Sequence, residues 1–170
     1  MSQLVALSLS IALLGGVATF LLRAIGLAVW AAFIAWACFF HSGGDGKALK
    51  TTIIGNVFGC CIAYVALWLV VASPLGGSEA GIAVIVAITV FVLCLAAHLP
   101  ALSSIPASVY GYASTVAFFL LTAQAKAIAM LTDIDYHTNP LLLIVLSMVA
   151  GALFGFASAK LAGALAKKAA

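Results

Sequence analysis

The chain has 170 residues, of which 66% are hydrophobic and only 6% charged, with a formal net charge of +3. A soluble domain is about 45–50% apolar and about 25% charged, so these few charges cannot cover a water-facing surface and most of the outside must face lipid. No basic patch of the kind that neutralises phosphates is present, which argues against nucleic acid as a partner.

A helix needs about 20 apolar residues to cross the hydrocarbon core, and six runs in chain order meet or approach that length. The first runs from about Leu4 to Leu22, preceded only by Met1, Ser2 and Gln3. It lacks the basic flank of a secretory signal and reads as a retained first helix. Arg23 marks the first turn. The second run, about Ala24 to Phe40, stops at His41-Ser-Gly-Gly-Asp-Gly-Lys47, whose glycines can take positive φ. The third runs from about Thr52 to Ala72 and breaks at Ser73–Glu79. The fourth, about Gly81 to Leu99, leads into a break bracketed by Pro100 and Pro106. The fifth, about Ile105 to Thr122, precedes the longest break, which ends at Thr132–Pro140. The sixth runs from about Pro140 to Gly163, and proline suits a first helical turn.

Lipid offers the backbone no hydrogen-bond partner, which selects helices, and the runs lack the alternation of barrel strands. The expected fold is therefore all-α: one polytopic membrane domain over residues 1–170 with six transmembrane helices. With both termini cytoplasmic, the inside receives Lys47, Lys50, Lys160, Lys167 and Lys168, and the outside Arg23 and Lys126. That asymmetry favours this orientation.

The third and sixth runs align: Gly55-Asn-Val-Phe-Gly59 on Ser147-Met-Val-Ala-Gly151, with Gly155 following. Small residues at every fourth position share a helix face and let two backbones approach closely, so Gly55, Gly59, Gly151 and Gly155 are expected to seat helix contacts. The second and fifth runs align through Val29-Trp30 with Val109-Tyr110, Ala37 with Ala117 and Phe39 with Phe119; the first and fourth do not match. Three helices per half make an inverted 3+3 repeat, with half-repeats about 1–72 and 81–168.

Ser104, Ser108, Gly111, Thr115 and Thr122 fall in a narrow arc of the fifth run at 100° per residue. This is either the wall of a pore or solute path or a small polar face for helix packing. Asn56 is the one amide well inside a run and must face protein or a cavity; Gln124 and Asn139 lie near an interface. His41, Asp45 and His98 are candidates for a gate or vestibule, against the plainer reading of solvated turns. Asp133, Asp135 and His137 are candidates for an outer acidic patch, against the plainer reading of a solvated loop. Cys38, Cys60, Cys61 and Cys94 lack zinc or redox spacing and read as small apolar residues. No metal site, cofactor motif, nucleotide loop or nucleophile elbow is found, and the chain is expected not to be an enzyme.

Through His41-Ser-Gly-Gly-Asp45, Gly55-Asn56-Val-Phe-Gly59, Leu99-Pro-Ala-Leu-Ser-Ser-Ile-Pro106 and Gly111-Tyr112, the chain resembles a family of uncharacterised small bacterial inner-membrane proteins of the YcdZ type. The resemblance spans nearly the whole length. It implies an inner-membrane location and a six-helix form and assigns no functional residues. By architecture alone the layout also looks like small oligomeric channels for neutral solutes such as urea or short amides.

No ionisable residue lies deep in a run, which argues against a proton pump or a carrier of charged substrates. The leading expectation is a homo-oligomeric channel or facilitator for a small, mostly uncharged solute. The alternatives are a secondary transporter and a non-catalytic scaffold or accessory subunit of a membrane complex.

Overall fold

The computed structural model describes residues 1–122 and 127–167. Gln124, Lys126 and Lys168, used above, lie outside the described residues. The helices are α1 (Gln3–Ala24), α2 (Val29–His41), α3 (Gly46–Ala72), α4 (Glu79–Leu95), α5 (Ile105–Thr122), α6 (Ala127–Thr132) and α7 (Pro140–Lys167). Short 3₁₀ turns occupy Pro74–Gly77, Ala96–His98 and Pro100–Leu102, and the described residues contain no strand. By length and composition, α1, α3, α4 with its 3₁₀ extension, α5 and α7 can each cross a membrane. This is the build of a multi-pass membrane protein.

The second run behaves differently. α2 has 13 residues, or about 20 Å at 1.5 Å per residue, against about 30 Å of hydrocarbon. The cause lies at its start. α1 continues through Arg23 to Ala24, and the chain then reverses at Gly26, whose φ is 74°. Arg23 thus belongs to the last turn of α1, and Ile25–Ala28 is spent on the reversal. α3, by contrast, starts earlier than the apolar pattern, because Asp45 Oδ1 accepts the Ala48 N–H at 2.7 Å and caps it. The longest break also contains α6, which the run analysis leaves as loop.

Many large apolar side chains face outward, while small residues fill much of the interior. Leu4, Phe20, Phe91, Leu120 and Leu121 are exposed, while Ala6, Ala31, Ala35, Ala63, Ala107 and Ala152 are buried. Lipid solvates large apolar groups without penalty, so helix association rests on close backbone approach through small residues.

The helices gather into two units: Met1–Ile53 with the stretch from Ser147, and Ile54–Leu146. The first unit combines α1, α2, the start of α3 and most of α7. Its core joins Ala18, Leu22, Ala32 and Trp36, with Phe154 of α7 packed against them. α7 meets α2 so closely at Gly151 that an added Cβ would strike the Ala32 carbonyl. Three polar bonds tie the unit together. Trp36 Nε1 donates to Ser158 Oγ at 3.1 Å, Ser10 Oγ to the Ser158 carbonyl at 2.6 Å, and the Ala28 N–H to Ser147 Oγ at 2.9 Å. The last is notable because Ala28, the N-cap of α2, supplies no cap of its own. Ser147 of α7 serves as partner to the start of α2.

The second unit combines the rest of α3 with α4, α5, α6 and the start of α7. Ala63, Ala66, Ile85, Leu93 and Tyr112 form one core cluster; Leu67, Phe119 and Leu131 form another. Tyr64 Oη donates to the Leu131 carbonyl, fixing α6 on α3. The Asp133–Asn139 loop is self-bonded: Asn139 Nδ2 donates to the Asp133 carbonyl at 2.8 Å, and its Oδ1 accepts the N–H groups of Leu141 and Leu142, capping α7.

Candidate functional site

The polar residues of interest concentrate in the second unit, where α3 crosses α5. Gly55 and Gly59 on α3, and Gly111 on α5, make this crossing close. An added Cβ at Gly55 would meet Ala107, at Gly59 the Ser108 carbonyl, and at Gly111 the Asn56 carbonyl. The middle of the hydroxyl arc therefore lies in a helix–helix seam. Gly59 and Gly151 come up against backbone carbonyls, and Gly55 against the Ala107 methyl. Gly155 instead approaches the rings of Trp36 and Phe39.

Within this seam Asn56 is 1% exposed and Ser108 also 1% exposed. Neither amide atom of Asn56 has a hydrogen-bond partner, nor does Ser108 Oγ. Ser114, one position before Thr115, is buried and equally unpartnered. A buried polar group left unpaired costs about 1–3 kcal/mol, so these groups form an unusual set. Their neighbours are satisfied. Thr115 Oγ1 donates to the Gly111 carbonyl at 3.0 Å, and Cys60 Sγ to the same carbonyl at 3.5 Å. Thr89 and Tyr112 hydroxyls share a bond at 3.0 Å, and Thr89 also reaches the Ile85 carbonyl at 2.9 Å.

The ends of the arc differ from its middle. Ser104 precedes α5 and its Oγ accepts the Ala107 N–H at 3.4 Å, as a cap does. Thr122 is exposed and bonds the Phe118 carbonyl at 2.6 Å. The structure thus brings together Asn56, Ser108 and Thr115, and sets Ser104 and Thr122 apart at the helix ends.

The gate candidates occupy turns. Asp45 is the exposed cap of α3, and His41 is exposed at the end of α2, both in the first unit. His98 belongs to the second unit, exposed, with Nδ1 2.9 Å from the Leu95 carbonyl. The acidic loop is held by its own carboxylates. Asp133 accepts the Asp135 N–H at 3.0 Å and the Thr138 hydroxyl at 2.7 Å; Asp135 accepts both the N–H and the Nδ1 of His137, at 2.9 and 2.8 Å. The bond from the Asp135 N–H, followed by that from Thr138, pulls the Asp133 carboxyl below its ordinary range. The His137 N–H and ring do the same for Asp135. Among the described residues no three His, Cys, Asp or Glu side chains are grouped to hold a metal ion.

Sequence reasoning missed Ser114, Thr89 and Tyr112, which lie off the arc, and the Ser10–Ser158–Trp36 group. Trp36 carried a usable signal, because an indole N–H inside an apolar run needs an acceptor. A family model described as a protein of unknown function (DUF1097) matches residues 8–163. No curated protein and no solved structure matches the chain.

Proposed function

From the premise that the chain belongs to this family of unknown function, we propose that it is a membrane channel or facilitator for a small, mostly uncharged solute. One observation carries the reading: the buried, unpartnered amide of Asn56, with the Ser108 and Ser114 hydroxyls, in the unit that holds the α3–α5 seam. In lipid an unsatisfied polar group costs several kcal/mol, and a fold retains such groups where water or a polar solute meets them. Hydroxyls and an amide, with no buried charge, suit a neutral hydrogen-bonding solute such as urea or a short amide. Turnover chemistry has no part in this proposal.

The path would be built on an inverted repeat. In each unit the third helix of one half packs on the second helix of the other: α7 on α2, α3 on α5. Aligned positions stand at both crossings. Ser147 accepts the Ala28 N–H, and an added Cβ at its counterpart Gly55 would lie 3.3 Å from the nitrogen of Ser108, the counterpart of Ala28. The proposed topology has six crossings with both termini cytoplasmic in a bacterial inner membrane, as the family resemblance implies. α2 crosses as a short helix packed against α1 and α7, its length mismatch taken up by local thinning of the bilayer. The small-residue faces support a homo-oligomer.

Stopped-flow light scattering on proteoliposomes tests the reading with urea, acetamide and glycerol. Solute entry faster than in empty vesicles is expected, slowed by Asn56→Leu and altered in solute preference by Ser108→Ala. Entry equal to that of empty vesicles across the panel contradicts it.

A further inference from the structure

We propose that the groove along α1 and α2 in the first unit seats one phospholipid with an anionic headgroup, its acyl chain in the groove and its phosphate on Arg23. The groove has a volume of about 890 Å³ and is walled by Ile11, Gly15, Gly16, Thr19 and Phe33, with Arg23 at one end. A second depression of about 210 Å³ shares Ile11 and Phe33 and extends the apolar surface past Trp36 to Phe40. The whole is elongated and apolar, with a cation at one end. That is the complement of an anionic amphiphile.

Three features support this occupant. Gly16 has nothing within 4 Å of where a Cβ would stand, so the groove is open above it. The one polar wall residue is neutralised, because Thr19 Oγ1 donates to the Gly15 carbonyl of its own helix at 2.8 Å. Arg23 is exposed in the last turn of a membrane-length helix, where headgroups lie, and it takes no part in the His137–Asp135 ion pair. A guanidinium offers a fork of donors that matches a phosphate. A neutral helix from a second copy would fill the apolar part and leave that cation unanswered.

Native mass spectrometry of the full chain, given equal phosphatidylglycerol and phosphatidylcholine, tests the proposal independently of solute flux. The wild type is expected to retain phosphatidylglycerol preferentially. Arg23→Gln, a surface change, should lower its retention about tenfold, the loss of one charge-assisted contact, and abolish the preference. Gly16→Phe, with an unchanged circular dichroism spectrum, should lower retention of both lipids. Equal retention by wild type and Arg23→Gln would overturn the proposal. So would a Gly16→Phe variant that keeps its lipid but loses its oligomeric state, which would assign the groove to a second copy.

Discussion

Alanine substitution along the glycines of α7 should produce opposite effects at positions that look alike in sequence. At Gly151 an added methyl would strike the Ala32 carbonyl, and backbone cannot swing aside as a side chain can. Overpacking costs about 1–3 kcal/mol, and contact with backbone places this site at the upper end. Alanine in place of glycine returns about 1 kcal/mol of helix propensity. The net for Gly151→Ala is a loss of about 2 kcal/mol. At Gly155 the obstacles are ring atoms of Trp36 and Phe39 at 3.0 Å, which can give slightly, so the two contributions nearly cancel. At Gly163 nothing lies within 4 Å, and Gly163→Ala should stabilise by up to about 1 kcal/mol. Reversible unfolding in mixed micelles, followed by circular dichroism, gives the order Gly163→Ala, then Gly155→Ala, then Gly151→Ala. Equal stability of the Gly151 and Gly163 variants would refute the close α2–α7 crossing.

Two further outcomes follow from the loop and the short helix. The lowered carboxyls of Asp133 and Asp135 contribute order above the ordinary aspartate range of about 3.9, lost as pH falls through their native values. Protection of the Asp135 and His137 amides, their exchange rate relative to that of an unstructured chain at the same pH, should therefore be present at neutral pH and fall away in acid, and Asp133→Asn should flatten the change at Asp135; protection that does not vary with pH would contradict this. If α2 crosses as a short helix, reporter tags on the two termini will fall on the same side of the membrane. Tags on opposite sides would show that only five helices cross.

The solvent of this chain was legible from composition, since so few charges cannot clothe so many apolar residues. The positions of α1, α3, α4, α5 and α7 were legible from apolar run length. The shortness of α2 was not, because hydropathy passes smoothly through Ile25–Ala28 and only the positive φ of Gly26 marks the reversal. The small-residue stripes mark a helix face, but spacing cannot distinguish Gly151, against backbone, from Gly155, against rings. The arc on α5 is legible in the sequence, but that its centre lies against α3 is not. Periodicity names a face without naming what covers it. Asp45 and Ser104 looked like functional polar residues, and their bonds to Ala48 and Ala107 place them as caps.

The most direct test of the solute-path reading is the water accessibility of Asn56. In a variant with Cys38, Cys60, Cys61 and Cys94 replaced by alanine, a small water-soluble thiol reagent is applied to Asn56→Cys and to Ala63→Cys, a fully buried apolar position on the same helix. Faster modification at position 56, slowed by excess permeant solute, is the predicted result. Equal inertness at the two positions would mean that no aqueous path reaches Asn56, and the channel reading would fall.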